Sequence, residues 1–596
     1  MVLARLHKFI TASTRNPADS RVIFWFSLSL AFAALYSGLA LAIAFSGDYI
    51  VQDDARQYVF WMQRFFDPSL FPDDLIADYF QSVSPLGYVT LYRGAAAIGI
   101  HPFLLNKLLP LGLSLTTTAF CFALTLQILP LPFTGFVASL LLNQTLWMKD
   151  DLVSASPRSF VYPFFLAFLV CVCRYQSQRR SSNSRSVHSW RRWLILSLAA
   201  IALLGSFYPQ YLLVSAGVLL LCLVRWDNGR VRFSSVRRDY QFVAIHLVVI
   251  LGMLLVYAVN TSDFGPVVTA EQARAMPEFW PKGRNFFFNE NLWWFYGVGD
   301  RSGYLHVGLV RPATLALSLF LPLLFVRPAW FPILRQITSN GWLLIRLWIT
   351  ATVLFVLAHL LLFRLHLPAR YTDHSLRIIT AIAAAMFVTA VFDAVIRASW
   401  RSPAPYIRPR LRRPVLAWGT TLFMALLLLV YPAFVENFPL TKYKTGNTPQ
   451  IYEFFQQQPT DTLIASVVEE VNNLPVFSQK SILIGREFGI PYHLGYYQEF
   501  QDRALDLIRA QYTPSLEELQ AFIRSYNVDF WLVDRDAFSA EYVTDIWIRQ
   551  YQTDLTETLT QLQSGEVPML KKLIKPCSVL TENRLTVIDA TCILAQ

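Results

Sequence analysis

Repeated apolar runs of membrane length constrain this chain more than any other feature. A helix of about 17–25 apolar residues crosses the roughly 30 Å hydrocarbon core of a bilayer. Only 15% of the residues are charged, whereas a soluble protein carries about 25%. The pattern predicts a polytopic α-helical membrane protein with about eleven spans. The predicted spans lie near residues 22–46, 103–128, 132–147, 159–174, 193–206, 210–224, 241–260, 309–326, 342–363, 375–397 and 414–432.

Basic residues are concentrated in alternate loops between these runs. Clusters at 174–192, 225–238 and 397–413 contain mostly arginine, and the positive-inside rule places such loops and the N-terminus in the cytoplasm. The predicted orientation is N-terminus in and C-terminus out. The net charge of +11 is therefore assigned to contacts with anionic lipid headgroups rather than with nucleic acid. The loops predicted on the outer side are 47–101, 148–157 and 261–308.

The segment after the last run has a different composition. Residues 1–432 are predicted to form the membrane domain, and 433–596 mix polar and apolar residues without a run of membrane length. Helical and strand patterns alternate in this tail, which predicts a soluble α/β domain on the outer face. Cys577 and Cys592 lie in it, and an oxidising compartment would allow a disulfide between them; two unrelated buried thiols are the alternative. The predicted strands are 462–468, 481–484, 530–533 and 585–588, and the predicted helices include 448–458 and 515–526.

A pair of acids opens the first outer loop. Asp53 and Asp54 directly precede residues 55–66, where apolar and aromatic residues recur at helical spacing. This predicts an amphipathic helix along the membrane interface. One carboxylate at the start of the helix is explained by N-capping, but capping does not require the second. The pair is therefore a candidate catalytic site, with Asp54 or Asp53 as the general base.

A second acid pair, Asp150 and Asp151, follows the predicted span at 132–147 on the same side. The alternative here is a solvated loop with one capping aspartate. Carboxylate oxygens are the ligands preferred by hard divalent cations, so this pair is predicted to hold Mg²⁺ or Mn²⁺. A metal-independent reaction is the alternative, because inverting transfer to a hydroxyl can proceed with the base alone. The two acid pairs are expected to face one shared pocket.

Together these features resemble the GT-C superfamily of membrane glycosyltransferases, which use polyprenyl-phosphate-linked sugars. The resemblance lies in Asp53-Asp54 leading into residues 55–66, in Asp150-Asp151, in about eleven spans and in an outer C-terminal domain. It implies that a first-loop aspartate acts as base or positions the acceptor, and that the second-loop aspartates help to hold the metal. In that family the first pair is often a mixed Asp/Glu pair; with two aspartates, which one is the base stays open.

Basic residues near the outer ends of spans are candidates for the donor phosphate. Arg370 and Tyr371 lie between two predicted spans, and Arg158 follows the second acid pair. Arginine binds phosphate through two parallel hydrogen bonds, so these three residues are assigned to the donor site. The alternative for Arg and Tyr at span ends is anchoring at the membrane interface.

The leading hypothesis is a glycosyltransferase that moves a sugar from a polyprenyl-phosphate donor to an acceptor on the extracytoplasmic face. The expected partners are this donor, membrane lipids and a glycan, lipid or protein acceptor. A lipid or glycan transporter or flippase is the main alternative, but transporters place ionisable residues near the middle of the membrane. A non-catalytic glycan-binding protein that assembles a cell-envelope complex is a third. A bacterial-type plasma membrane is the expected location, with the endoplasmic reticulum as the alternative.

Overall fold

Long apolar helices form a bundle in the part of the chain that precedes the tail. The computed structural model describes residues 2–179, 186–227, 230–259, 263–305, 311–400, 412–551 and 555–596. Within these residues, seven helices are long and apolar enough to cross a membrane. They are Ser20–Ala44, Pro102–Ile128, Pro157–Gln178, Trp190–Phe207, Arg237–Ala258, Ser339–Leu360 and Ala369–Ala398.

The remaining four predicted spans are helical but short. An α-helix at Pro132–Trp147 covers one of them, and α-helix Tyr211–Cys222 covers another. A 3₁₀-helix at Ala313–Phe320 continues into α-helix Leu321–Phe325, and the last is Arg412–Val430. The protein is thus a multi-pass helical protein, while the count of eleven spans and the N-in, C-out orientation stay predictions.

Helix Pro132–Trp147 lies at the centre of the bundle, and each of its residues is buried. Its polar side chains bond to neighbouring helices. Thr134 donates to Thr389 at 2.9 Å, and the Gln144 amide donates to the Leu428 carbonyl at 2.7 Å. Because other helices rather than lipid surround it, the helix tolerates polar residues that lower its hydropathy.

The interfacial helix predicted at 55–66 is not present as expected. The segment forms a short α-helix at Ala55–Tyr58 and a 3₁₀-helix at Phe60–Phe65. Its polar side chains meet the tail instead of water, since the Gln63 amide donates to the Pro475 carbonyl at 3.0 Å. The apolar face packs into the protein core. The helical periodicity was correctly recognised, but the surface it meets is protein rather than lipid. Helices Leu75–Ser82 and Leu86–Ala97 complete this loop.

The tail is built around a five-stranded sheet. Four strands run in the same direction, and only Leu585–Asp589 runs opposite to them; all four predicted strands are present. Ser515 caps helix Leu516–Tyr526 through the Glu518 N–H, as its sequence predicts. In sheet order the strands are Ser481–Ile482, Leu463–Ala465, Phe530–Asp534, Leu585–Asp589 and Ser578–Glu582, and the longer tail helices are Pro449–Gln456, Leu494–Tyr512, Leu516–Tyr526 and Met569–Cys577.

Two features secure the tail. Cys577 and Cys592 form a disulfide, with their Cα atoms 5.5 Å apart. Strand Ile50–Gln52 of the first loop pairs antiparallel with Tyr443–Thr445 at the start of the tail. This pairing brings the first acid pair next to the tail. The domain boundary at 432/433 stays a prediction.

Candidate active site

Asp53 and Asp54 stand where the first-loop strand ends. The Asp53 N–H donates to the Lys442 carbonyl at 3.3 Å, and the Asp54 N–H donates to the Gln52 side chain at 2.7 Å. Asp54 is the residue before helix Ala55–Tyr58, but its side chain makes no capping hydrogen bond. Capping therefore does not account for the Asp54 carboxylate.

The two acid pairs meet at Arg158. One guanidinium nitrogen, Nη2, lies 2.8 Å from Asp54 Oδ2 and 3.0 Å from Asp150 Oδ2. Lys442 from the start of the tail adds a second cation, 3.2 Å from the same Asp150 oxygen. Asp54 and Asp150, which are 96 positions apart in the chain, thus share one cation at the junction of bundle and tail.

The two carboxylates of this junction differ in their electrostatics. Burial raises the pKa of Asp54; Arg158 opposes this shift, while the Asp150 carboxylate adds to it. Burial acts in the same direction on Asp150, but Arg158 and Lys442 outweigh it and hold the pKa of Asp150 below its ordinary value. The Asp54 side chain keeps 24% of its surface exposed against 6% for Asp150. Asp54 is therefore the more basic and the more exposed of the two carboxylates.

Asp53 faces the tail rather than Asp150. Its carboxylate pairs with the Arg56 guanidinium, and Lys444 approaches it at 3.7 Å. Its neighbour Asp54 carries the contact with the second acid pair. The geometry thus separates two residues that the sequence left equivalent: Asp54 contacts Arg158, whereas Asp53 contacts Arg56 and Lys444.

Asp151 points away from Asp150. Its Oδ2 lies 3.1 Å from Arg377 Nη1 and accepts a hydrogen bond from Tyr162 at 3.3 Å. Its Oδ1 lies 3.7 Å from Lys149 Nζ. The side chain is fully buried, and its pKa is held far below the ordinary value because Lys149 and Arg377 outweigh burial. Asp150 and Asp151 therefore serve two separate clusters.

Arg370 is the second residue of helix Ala369–Trp400. No hydrogen bond or ion pair joins its guanidinium to another described residue. It is among the charges acting on Tyr58, whose pKa burial raises to about 12, and on His366, whose pKa burial lowers to about 3. A guanidinium that has no carboxylate partner among the described residues is suited to an anion.

Arg158 and Tyr371, also predicted to bind the donor, have other contacts. Arg158 is engaged by Asp54 and Asp150 as described. Tyr371 is buried, and its hydroxyl donates to the Leu365 carbonyl at 2.5 Å. These contacts leave Arg370 as the member of the predicted set whose charge is available to a ligand.

Sequence reasoning missed a cluster around Glu487 of the tail. Its carboxylate accepts hydrogen bonds from Arg284 at 2.6 Å, from Arg56 at 3.3 Å and from the Gln57 amide. Gly485 precedes it, where an added Cβ would meet Asn472 at 2.6 Å. Glu487 thus joins the residues after Asp54 to the loop that begins near 263. No local sequence pattern predicts these contacts of Glu487. The one available signal is that Gly485 and Gly489 flank it, since two nearby glycines favour a closely packed turn.

Asp151, Asp373 and His374 have donor atoms within 4.8 Å of one another and are all buried. By atom type this group suits a divalent metal. The two carboxylates are, however, already paired with two cations, Lys149 and Arg377. A divalent ion would add two positive charges to a buried cluster that is already balanced. In this arrangement the group does not fit a metal, and the Asp54–Asp150 position is filled by Arg158.

The fold is similar to that of the oligosaccharyltransferase of the archaeon Archaeoglobus fulgidus. For the crystal structure tethered to an acceptor peptide with the NVT sequon, the likeness covers 92% of this chain and 72% of that chain, with a TM-score of 0.52 and 12% identity. For the complex with an inhibitory peptide and dolichol-phosphate, it covers 93% and 72%, with a TM-score of 0.51 and 12% identity. No protein-family model matches the chain, and no curated protein does. At 12% identity, the property shared with this structure is the fold.

Proposed function

We propose that the chain is a membrane glycosyltransferase of the GT-C type that transfers a sugar from a polyprenyl-phosphate donor to an acceptor hydroxyl. The observation that carries the proposal is the Arg158 bridge between Asp54 and Asp150. It brings a partly exposed carboxylate of raised pKa to the junction of bundle and tail. The archaeal relative of this fold is an oligosaccharyltransferase whose complex contains dolichol-phosphate, which supports a lipid-linked phosphate donor.

In the proposed reaction, Asp54 takes the proton from the acceptor hydroxyl. The acceptor oxygen then forms a bond to the anomeric carbon of the sugar, and the bond between that carbon and the phosphate oxygen breaks. The electron pair of the broken bond stays on the departing polyprenyl phosphate. Attack on the face opposite the phosphate inverts the anomeric configuration. Arg158 holds the Asp54 carboxylate in place, and Asp150 and Lys442 fix the Arg158 bridge.

Arg370 is proposed to hold the donor phosphate. As the phosphate leaves, its negative charge increases, and a guanidinium stabilises the product side of the reaction more than the ground state. Arg370, near the start of helix Ala369–Trp400, acts electrostatically on Tyr58 and His366. Since Tyr58 lies four residues after Asp54, the phosphate and the base would share one pocket.

The proposed setting is the outer face of a plasma membrane. The tail and the Asp54–Asp150 junction lie at the same end of the bundle, where strand Ile50–Gln52 pairs with Tyr443–Thr445. The basic clusters assign that end to the extracytoplasmic side. Polyprenyl-phosphate sugars and a glycan, lipid or protein acceptor would meet there.

The test is a comparison of cell-surface glycans by mass spectrometry. Cells lacking the protein are complemented with the wild type, with Asp54→Asn or with the control Asp48→Asn, an exposed acid of the same loop. The wild type and Asp48→Asn are expected to restore the same glycan mass, and Asp54→Asn is expected to leave it missing while reaching wild-type levels in the membrane. Restoration by Asp54→Asn would remove Asp54 as the base. Identical glycans with and without the wild-type protein would reject the transferase function itself.

A further inference from the structure

Four charged side chains form a closed cluster beside the junction. Each carboxylate directs one oxygen to Arg377 and the other to Lys149. Asp151 Oδ2 and Asp373 Oδ1 lie 3.1 and 2.9 Å from Arg377 nitrogens. Asp373 Oδ2 and Asp151 Oδ1 lie 2.8 and 3.7 Å from Lys149 Nζ. The ammonium therefore stands between two carboxylate oxygens from distant parts of the chain.

The ammonium contacts the two carboxylates that a divalent ion would bind in the same group. The two oxygens that approach Lys149 belong to the residues whose donor atoms, with one from His374, lie within 4.8 Å of one another. Asp151 and Arg377 are fully buried, and Asp373 keeps only 2% of its side-chain surface exposed. Two negative and two positive charges balance. An added divalent cation would be repelled at short range by Lys149 and Arg377 in a poorly screened environment.

We propose that the Lys149 ammonium is the built-in cation of the Asp151–Asp373–His374 group and excludes a divalent metal from it. The group is then a structural support rather than a metal centre. Lys149 directly precedes Asp150 in the chain, so its ion pair with Asp373 anchors the second acid pair to helix Ala369–Trp400. Asp150 is thereby fixed at the Arg158 bridge. This inference concerns the charge cluster alone and holds whether or not the protein transfers sugars.

The test uses the purified full chain in detergent, with thermal unfolding and metal content as readouts. The wild type, Lys149→Gln and the control Lys572→Gln, an exposed tail lysine, are each treated with a chelator and then titrated with Mn²⁺ and Mg²⁺. We expect no bound metal and no shift of Tm for the wild type and Lys572→Gln. Lys149→Gln is expected to have a lower Tm that rises with metal concentration, because two carboxylates and a histidine are then left with one cation.

Two results would overturn the proposal. One is a wild type that contains metal in a fixed ratio or loses stability on chelation. The other is a Lys149→Gln variant that folds and whose Tm does not respond to either ion, because Lys149 would then not be the residue that excludes it. If Lys149→Gln does not fold, Lys149→Gln/Asp373→Asn restores the charge balance. This double variant is expected to fold, and its Tm is expected not to change with Mn²⁺ or Mg²⁺. Lys149→Gln alone is then expected to be recovered as folded protein only when Mn²⁺ or Mg²⁺ is present during purification. If neither ion allows its recovery, this third result also counts against the proposal.

Discussion

Arg56 and Glu487, separated by 431 positions in the chain, form a largely buried ion pair 3.3 Å long, with 7% and 12% of their side-chain surfaces exposed. Arg56 lies two residues after Asp54, and it also pairs with Asp53. Glu487 in turn holds Arg284 of a second long loop at 2.6 Å. The tail is therefore bonded directly to the first outer loop. The Glu487 carboxylate of the tail fixes the segment that carries the proposed base.

The first prediction concerns this ion pair. Replacing Glu487 with Gln leaves the Arg56 and Arg284 guanidiniums close together without their shared counter-charge. Breaking a buried pair from one side costs about 3 kcal/mol, so the free energy of unfolding is expected to fall by that order. Hydrogen exchange of the amides in Ala55–Phe65 is expected to accelerate. Chemical denaturation and exchange mass spectrometry measure the two effects.

The matched control for Glu487→Gln is Glu469→Gln. Glu469 pairs with Arg486 in an exposed ion pair of 3.0 Å, and such pairs contribute about 0–1 kcal/mol. Exchange in Ala55–Phe65 is expected to stay at the wild-type rate in this variant. Equal effects of the two variants would show that Glu487 has no particular hold on the first loop.

Local sequence patterns predict some features of this site, but they do not predict contacts between distant parts of the chain. The meeting of Asp54 and Asp150 was predictable, because both acid pairs follow apolar runs and charge bias places them on one side. The contacts of Glu487 with Arg56 and Gln57 could not be predicted, because no local sequence pattern connects positions about 430 residues apart. Strand Ser578–Glu582 was missed because it lies at the sheet edge and alternates polar and apolar residues only weakly.

The segment 55–66 shows a further limit. Its periodicity predicted an amphipathic helix, and helical turns are present. Periodicity shows that one face of a helix is apolar, but it does not show whether that face packs against lipid or against protein. Here the tail covers the polar side chains of Arg56 and Gln63. A surface helix and a helix beneath another domain have the same pattern.

The second prediction concerns the pH dependence of transfer. Asp54 acts as a base only when ionised, and burial raises its pKa above the ordinary value of about 3.9. The transfer rate should therefore be constant at higher pH and fall as the pH drops through this raised pKa. Because Arg158 lowers the pKa of Asp54, Arg158→Gln should move the fall to higher pH. Initial rates measured across pH give the profile.

Arg93→Gln is the control for the pH profile. Arg93 is exposed and lies over the Phe65 ring, 5.2 Å from its centroid. It neighbours the first loop without contacting Asp54, so its variant should keep the wild-type profile. A profile of Arg158→Gln that is lowered in rate but unshifted in pH would contradict the electrostatic role of Arg158.

The third prediction concerns the donor phosphate. Arg370→Gln removes a cation that is not paired with another described side chain. A charge-assisted hydrogen bond contributes about 1.5–3 kcal/mol, so the Kd for a polyprenyl phosphate should rise roughly 10- to 100-fold. Titration of the purified protein with dolichol-phosphate, followed by its effect on Tm, measures this change. Arg364→Gln, an exposed arginine of the preceding turn, should bind as the wild type does; equal weakening in both variants would argue against a specific site at Arg370.

The last prediction concerns the disulfide between Cys577 and Cys592. It joins residues with a sequence separation of 15. Closing a loop of that size lowers the conformational entropy of the unfolded chain and thereby stabilises the folded state by about 3 kcal/mol. It also joins helix Met569–Cys577 to helix Ala590–Leu594 at the edge of the tail sheet. The double variant Cys577→Ser/Cys592→Ser should unfold its tail at lower denaturant concentration than the wild type, as followed by limited proteolysis of the full chain. A reductant should lower the denaturant concentration at which the wild-type tail unfolds towards that of the variant. The variant should unfold at the same concentration with and without reductant, because it has no disulfide to reduce. If the wild type and the variant unfold at the same concentration without reductant, the disulfide contributes nothing to the stability of the tail.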